Sequence, residues 1–303
     1  MRSHCQILLV TIVLGCLALA PVIAFPHDLA RNQGDNQSPI RIGAVAYSPS
    51  AVTIFEGIKD YLNSNGFKSD YVLYSNYDSL VDALAKGEIE IAWNTPLAHG
   101  KYHVQNDCAS QTLVMRDVDV GVQSVLVARR DCDIESINHL SGKHIVLGSS
   151  QAAEATVLPL HFLKKEGLVL ADDCVVSLDQ EVDSEGNPCA SPQHVLRAVL
   201  QGRGDAGIIT STLWNRVKNQ PGIGDQLQLV WTSPEFSHCV FTAAPDFDEQ
   251  LGNRFRELMT TMDPNDPNTA EIMRLEGTKK WLPGKQEGFE DLFEALQSGD
   301  AAQ

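Results

Sequence analysis

The chain has 303 residues, 43% of them apolar, and a formal charge of −16. That length supports real hydrophobic cores and two domains of ordinary size. So acidic a balance excludes nucleic acid and anionic membrane surfaces as partners, while leaving room for a small anion held locally at a helix start.

Met1 to Ala24 begins with cationic Arg2, runs apolar from Ile7 to Ala20 and ends on small Ala24. This is the pattern of a bacterial-type export signal cut after Ala24, with residues 25–38 as a flexible leader. Val13-Leu14-Gly15-Cys16 offers a second reading, a lipidated N-terminus at Cys16. Beyond the signal stand Cys108, Cys132, Cys174, Cys189 and Cys239, an odd number. Cys174 and Cys189 bracket one polar segment and are expected to pair, the rest of the connectivity staying open.

Ile40 to Tyr47 reads as a strand, Val52 to Asn63 as a helix stopped at Gly66, Tyr71 to Tyr74 as a strand, Tyr77 to Lys86 as a helix and Ile89 to Trp93 as a strand. Such β-α-β-α-β alternation implies a mainly parallel sheet covered on both faces, with ligand loops at the strand C-terminal ends. Two of these loops, Tyr47-Ser48-Pro49-Ser50 and Trp93-Asn94-Thr95-Pro96, turn polar ahead of a helix. An apolar run from Gly121 to Arg130 leads to a helix-like Ile134 to Leu140.

Next come a strand at Lys143 to Leu147, the turn Gly148-Ser149-Ser150-Gln151 and a helix over Ala152 to Lys165. A helix start offers unpaired N–H groups and the positive end of its dipole, and the two serines add hydroxyl donors, so the turn suits an anion or a carbonyl oxygen. Ser150 also reads as an ordinary N-cap.

The pattern repeats as strand Cys174 to Leu178, helix Gln193 to Gln201, strand Ala206 to Thr210 and helix Ser211 to Val217, with Thr210-Ser211-Thr212 as another polar strand end. Strands at Leu227 to Thr232 and Cys239 to Ala243 follow, then helices at Phe247 to Met262, Thr269 to Glu276 and Gly288 to Ser298. The expected division is one lobe from 39–127 with 233–303 and a second from 128–232.

Several stretches resemble the phosphate, phosphite and phosphonate-binding components of ABC importers: IRIGAVAYSPS, YDSLVDALAKGEIEIAWNTPLAH, SVLVARRDCDIESINHLSGKHIVLGSS, HVLRAVLQGRGDAGII and EGTKKWLPGKQEGFEDL. The resemblance covers essentially all of the chain after the leader. It implies an α/β, two-lobed periplasmic binding protein of type II, its lobes joined by two hinge strands and closing on ligand. A membrane permease and its ATPase are the implied partners.

The resemblance fails at one place. Where phosphonate binders carry a Ser-Thr-Ser run on the phosphoryl oxygens, a gap-free count puts Ala152, Ala153 and Glu154 here. Glu154 either points outward and complements the helix dipole or faces the cleft, where it would repel a dianion.

The ligand-contact candidates are therefore Tyr47, Ser48, Trp93, Asn94, Thr95, Ser149, Ser150, Gln151, Thr210, Ser211 and His238. Aromatic walls with a few amide and hydroxyl donors suit a small-molecule cleft, and Trp93 reads equally as interlobe core. His99, His103 and His161, placed in the cleft-facing half, suit an oxyanion or a soft metal, or else are satisfied, partly buried side chains. Asp179, Glu181, Asp183 and Glu185 faintly suggest calcium but lack the final bidentate carboxylate, so a solvated loop is expected. No catalytic residue, cofactor or metal is expected. The reading is an exported, monomeric, non-enzymatic receptor for a small oxyanion. Its alternatives are a sensory module on the same fold, or a receptor for another oxyanion, an organic solute or a metal.

Overall fold

The computed structural model describes residues 38–178 and 192–299. The signal, nearly all of the leader, Cys5, Cys16, Cys189 and the acidic loop from Asp179 to Glu185 lie outside the described residues, so the Cys174–Cys189 pairing does too.

Strand β1 (Ile40–Val45) is apolar on both faces and nearly all buried, as a strand covered by helices must be. Helix α1 (Ala51–Ser64) turns Ile54, Phe55, Ile58 and Leu62 inward at helical spacing. It is followed by β2 (Ser69–Tyr74), α2 (Tyr77–Ala85) and β3 (Ile91–Asn94). Asn76 caps α2 by accepting from the Ser79 N–H, and Thr95 caps α3 (Pro96–Gln105) through the Ala98 N–H. β1 pairs in parallel with both β2 and β3.

After β4 (Gln111–Arg116) the chain crosses to a second sheet made of β5 (Ser124–Arg129), β6 (His144–Leu147), β7 (Val175–Leu178), β8 (Ala206–Thr210) and β9 (Leu227–Thr232). Its helices are α4 (Leu158–Lys165), the short α5 (Leu170–Asp173), α6 (Pro192–Leu200) and α7 (Ser211–Val217). The chain then returns to the first sheet through β10 (Val240–Ala243), α8 (Glu249–Thr260), α9 (Ala270–Leu275), β11 (Trp281–Pro283) and α10 (Glu290–Gln297).

The sheet orders are β11-β4-β10-β3-β1-β2 and β7-β6-β8-β5-β9. Both are mixed: β10 runs antiparallel to its neighbours β3 and β4, and β5 antiparallel to β8 and β9. Where the two crossings pass each other, Val122 and Phe236 exchange backbone hydrogen bonds of 2.9 and 2.8 Å. One hydrophobic cluster runs through this junction, joining Met115, Phe236, Val240 and Phe289 to Leu126, Ile145, Val157 and Phe162. α10 lies beside both α3 and α4, and Lys165 of α4 donates to Asp291 (2.8 Å) and Glu294 (2.9 Å) of α10.

The structure departs from the expected elements in several places. Ile134 to Leu140 is not a helix; it holds one 3₁₀ turn, Ile137–His139, with Ile134 and Leu140 buried as core residues on either side. The helix expected from Ala152 starts as a π-helical turn, Ala153–Val157, and becomes regular only at Leu158. β4 and β11 are additional strands.

Candidate functional site

The polar strand ends of the first sheet converge on a chain of charged groups at the two crossings. Tyr47, just past β1, donates its hydroxyl to Glu276 at 2.7 Å. Arg116, the last residue of β4, donates to the other Glu276 oxygen at 3.0 Å and clamps Asp119 through Nε (2.6 Å) and Nη2 (3.0 Å). The guanidinium also lies over the Trp93 ring, 5.2 Å from its centroid. Asp119 in turn faces His238 on the return crossing, Oδ1 to Nδ1 at 3.1 Å, and the His238 main-chain N–H donates to the Asp119 carbonyl at 2.8 Å. The second nitrogen of His238 reaches Glu154 of the π-helical turn, 3.5 Å from Oε2.

Glu154 therefore faces the crossings and does not point outward as an ornament of the helix dipole. Its carbonyl is also held, accepting from the Ser124 hydroxyl at 2.5 Å. The fold forces this close fit. A Cβ on Gly148 would sit 2.7 Å from the Ala155 Cβ and 3.3 Å from that of Ala152, so only small residues fit where β6 ends against the turn.

These contacts set the charge states. Burial works against ionising Asp119, but the hydrogen bonds from His238 and Arg116 win and hold its pKa below the usual carboxylate value. Glu154 is likewise held low, His238 outweighing burial. His238 is pushed the other way: burial opposes its charge, yet Cys239, Asp119 and Glu154 hold its pKa well above that of a free histidine. Glu276 is raised, burial there outweighing the opposing help of Arg116 and Tyr47.

The residues singled out in the sequence divide. Tyr47 and His238 belong to the charged chain. Ser48 bonds Ser50, 2.9 Å between hydroxyl oxygens, at the end of β1. Trp93 is buried in the first-sheet core against Phe241 and Trp281, ring centroids 4.6 and 5.7 Å away, and meets the site only through Arg116. Thr95 and Thr210 spend their hydroxyls as helix caps, and the Ser211 N–H donates to the Gln123 carbonyl at 2.8 Å. Ser150 is exposed and caps nothing, because the cap position has moved to Ala152; Ser149 only accepts from the Gln151 N–H at 3.3 Å. Gln151 accepts from Lys101 of α3 across the cleft, also at 3.3 Å. Asn94 is wholly buried at the end of β3, and neither polar atom of its amide has a hydrogen-bond partner among the described residues.

His99 and His103 do not reach the cleft. His99 is buried against Phe289 and bonds the Thr242 hydroxyl at 2.9 Å, while His103 stacks on Phe293 and bonds Ser110 at 2.8 Å. His161 is buried beside Asp291 and Glu294 at the α4–α10 contact. Arg116, Asp119, Ser124 and Glu276 were not singled out in the sequence. The available signal for the first two was a cluster of charges, Arg116-Asp117-Val118-Asp119, placed directly after a short apolar run.

Residues 42–289 match the family described as the ABC transporter, phosphonate, periplasmic substrate-binding protein. The chain belongs to this family. It is thus a binding component of an ABC transporter, with a small-molecule ligand and a membrane permease and ATPase as partners. A probable ABC transporter phosphite binding protein, PhnD1 of Prochlorococcus marinus, is 20% identical over 235 residues, 74% of this chain and 76% of that one. The phosphate-import protein PhnD of Mycolicibacterium smegmatis is 25% identical over 228 residues, 71% of this chain and 67% of its own. The solved structure of the Prochlorococcus PhnD1 in complex with methylphosphonate has a TM-score of 0.64 at 19% identity, covering 86% of this chain and 98% of that one. The likeness fixes the fold as the two-lobed type II binding protein. No helix among the described residues is long and apolar enough to cross a membrane.

Proposed function

We propose that the chain captures a small oxyanion of the phosphate, phosphite or phosphonate class between its lobes and delivers it to its permease. It does so as a monomer, outside the cytoplasmic membrane after export, and without catalysis. The ligand contacts are the Ser149-Ser150-Gln151 turn on one side and Asn94, Tyr47 and His238 on the other, with Ser48, Trp93, Thr95, Thr210 and Ser211 shaping the strand ends around them. Lobe 1 takes 39–127 and 233–303, and lobe 2 takes 128–232.

The observation that supports this best is the Asn94 amide. Buried polar groups are nearly always hydrogen-bonded, so an amide with two idle polar atoms at a strand end in this fold is a place for a polar solute. Tight capture would bridge both lobes and favour the closed form by differential affinity. A second reading, a neutral or cationic organic solute, draws on Glu154: its carboxylate stands where hydroxyls would serve an oxyanion, and Asp119 and Glu276 already engage Arg116.

Thermal unfolding in phosphate-free buffer with added phosphate, phosphite or methylphosphonate tests the proposal. A true ligand raises stability with dose, by about 2.7 kcal/mol at a hundred times its Kd. A melting temperature that none of the three moves overturns the oxyanion reading, and a rise with amines or amino acids alone establishes the second.

A further inference from the structure

The crossing segments bring together a thiol, an imidazole and a carboxylate. The Cys239 sulfur, the His238 Nδ1 and an Asp119 oxygen all lie within 4.8 Å of one another. His238 Nδ1 is 3.1 Å from Asp119 Oδ1 and 3.1 Å from Cys239 Sγ. In a tetrahedral zinc site, with metal–N and metal–O near 2.1 Å and metal–S near 2.3 Å, neighbouring donor atoms stand about 3.4–3.6 Å apart. His238 Nδ1 stands within a few tenths of an ångström of that spacing from each of the other two donors.

A second observation points the same way. A histidine that ligates a metal through one nitrogen almost always gives the other to a carboxylate, which fixes the ring and its tautomer. His238 does so here, with Nε2 directed at Glu154 Oε2, 3.5 Å away, while Nδ1 faces the other two donors. Asp119 is held as well: the Arg116 fork grips its carboxylate at 2.6 and 3.0 Å, and the His238 N–H holds its main chain. A second mixed cluster among the described residues, His161, Asp291 and Glu294, has no sulfur donor, is more open to solvent and shares its two carboxylates with the Lys165 ammonium at 2.8 and 2.9 Å.

We propose that Asp119, His238 and Cys239 bind a borderline divalent cation, of which Zn²⁺ is the type, with Glu154 as the positioning residue behind His238. One sulfur, one nitrogen and one oxygen donor favour a late first-row ion over magnesium or calcium. As the ion binds, the Cys239 thiol and the His238 Nδ1 each release a proton to solvent, His238 keeping the Nε2 proton that faces Glu154, and a water or solute oxygen completes the coordination. The site does not depend on the oxyanion reading, because the cation is tested alone.

The test uses the chelator-stripped protein in phosphate-free buffer. Zn²⁺ is expected to raise the melting temperature with dose, and the rise is expected to vanish in Cys239→Ser, a near-isosteric change whose fold is checked by circular dichroism. Co²⁺ in place of Zn²⁺ should give a thiolate-to-metal charge-transfer band in the wild type that Cys239→Ser lacks. Glu154→Gln should keep the band while weakening Zn²⁺ by about 10–100-fold. Absence of a Zn²⁺-dependent rise overturns the proposal, as does a rise or a charge-transfer band that survives Cys239→Ser unchanged.

Discussion

The two walls of the cleft are built to opposite rules. On the first-sheet side Tyr47, Glu276, Arg116, Asp119 and His238 are linked contact by contact at 2.6–3.1 Å, and Asp119 and Glu276 are buried. On the other side Ser149, Ser150 and Gln151 are partly or fully exposed, and their described side-chain contacts are one turn bond and one bond from Lys101. A wall whose polar groups already satisfy one another keeps its shape and has little left to give a solute. A wall with idle hydroxyls gives hydrogen bonds but holds no shape by them. On the proposed reading, rigidity falls to the first-sheet side and ligand contacts to the turn, with the idle Asn94 amide as the exception on the rigid side.

The largest break in that contrast should come from Arg116→Met. It leaves Asp119 and Glu276 buried without their shared cation, which costs about 3–5 kcal/mol when one partner of a buried pair is removed. Urea unfolding should show that loss, whereas Lys101→Met, which removes a half-exposed partner of Asp78 and Gln151, should stay within about 1 kcal/mol. Equal losses would erase the distinction between the walls.

The same side holds two histidines in opposite states, and pH separates them. Burial pushes His99 down to about 3, so it stays neutral in the folded protein. Below an ordinary histidine pKa near 6.5 the unfolded chain takes up a proton that the folded chain refuses. His99 therefore erodes stability as pH falls from about 6.5 toward 3, by on the order of 5 kcal/mol in full. Unfolding free energy measured against pH should show this slope, and His99→Gln should flatten it; an unchanged slope contradicts the assignment.

The smallest effect on stability belongs to the open wall. Ser150→Ala should change unfolding by no more than about 0.5 kcal/mol. Its effect on methylphosphonate binding should be larger, since one hydrogen bond to a charged ligand is worth about 1.5–3 kcal/mol. Titration calorimetry on both proteins compares the two; unchanged affinity would move the ligand off this turn.

Most of the first sheet was legible because β1, α1, β2, α2 and β3 alternate apolar runs and helical spacing with clear Gly and Pro stops. Ile134 to Leu140 was misread because Ile134, Ile137 and Leu140 recur at three-residue intervals, which suits a helix as well as a loop that buries single side chains in the core. β4 shows only Leu113, Val114 and Met115 between polar ends, and β11 ends in Pro283, tolerated because it lies on the sheet edge. The charged chain was illegible for a different reason. Arg116 and Glu276 meet across 160 positions of sequence, and a lone arginine or glutamate near a strand end looks like any solvated charge until the fold buries it. The inward turn of Glu154 was undecidable for the same reason: the count along the sequence located it, but only the π-helical start and the return of His238 gave it a direction.

Glu154→Gln tests the division between the walls most directly, read by titration calorimetry of methylphosphonate in metal-free buffer. Removing a like charge next to the ligand and freeing His238 should tighten binding about tenfold, roughly 1.4 kcal/mol. Unchanged or weaker binding would contradict an oxyanion seated between His238 and the Ser149–Gln151 turn.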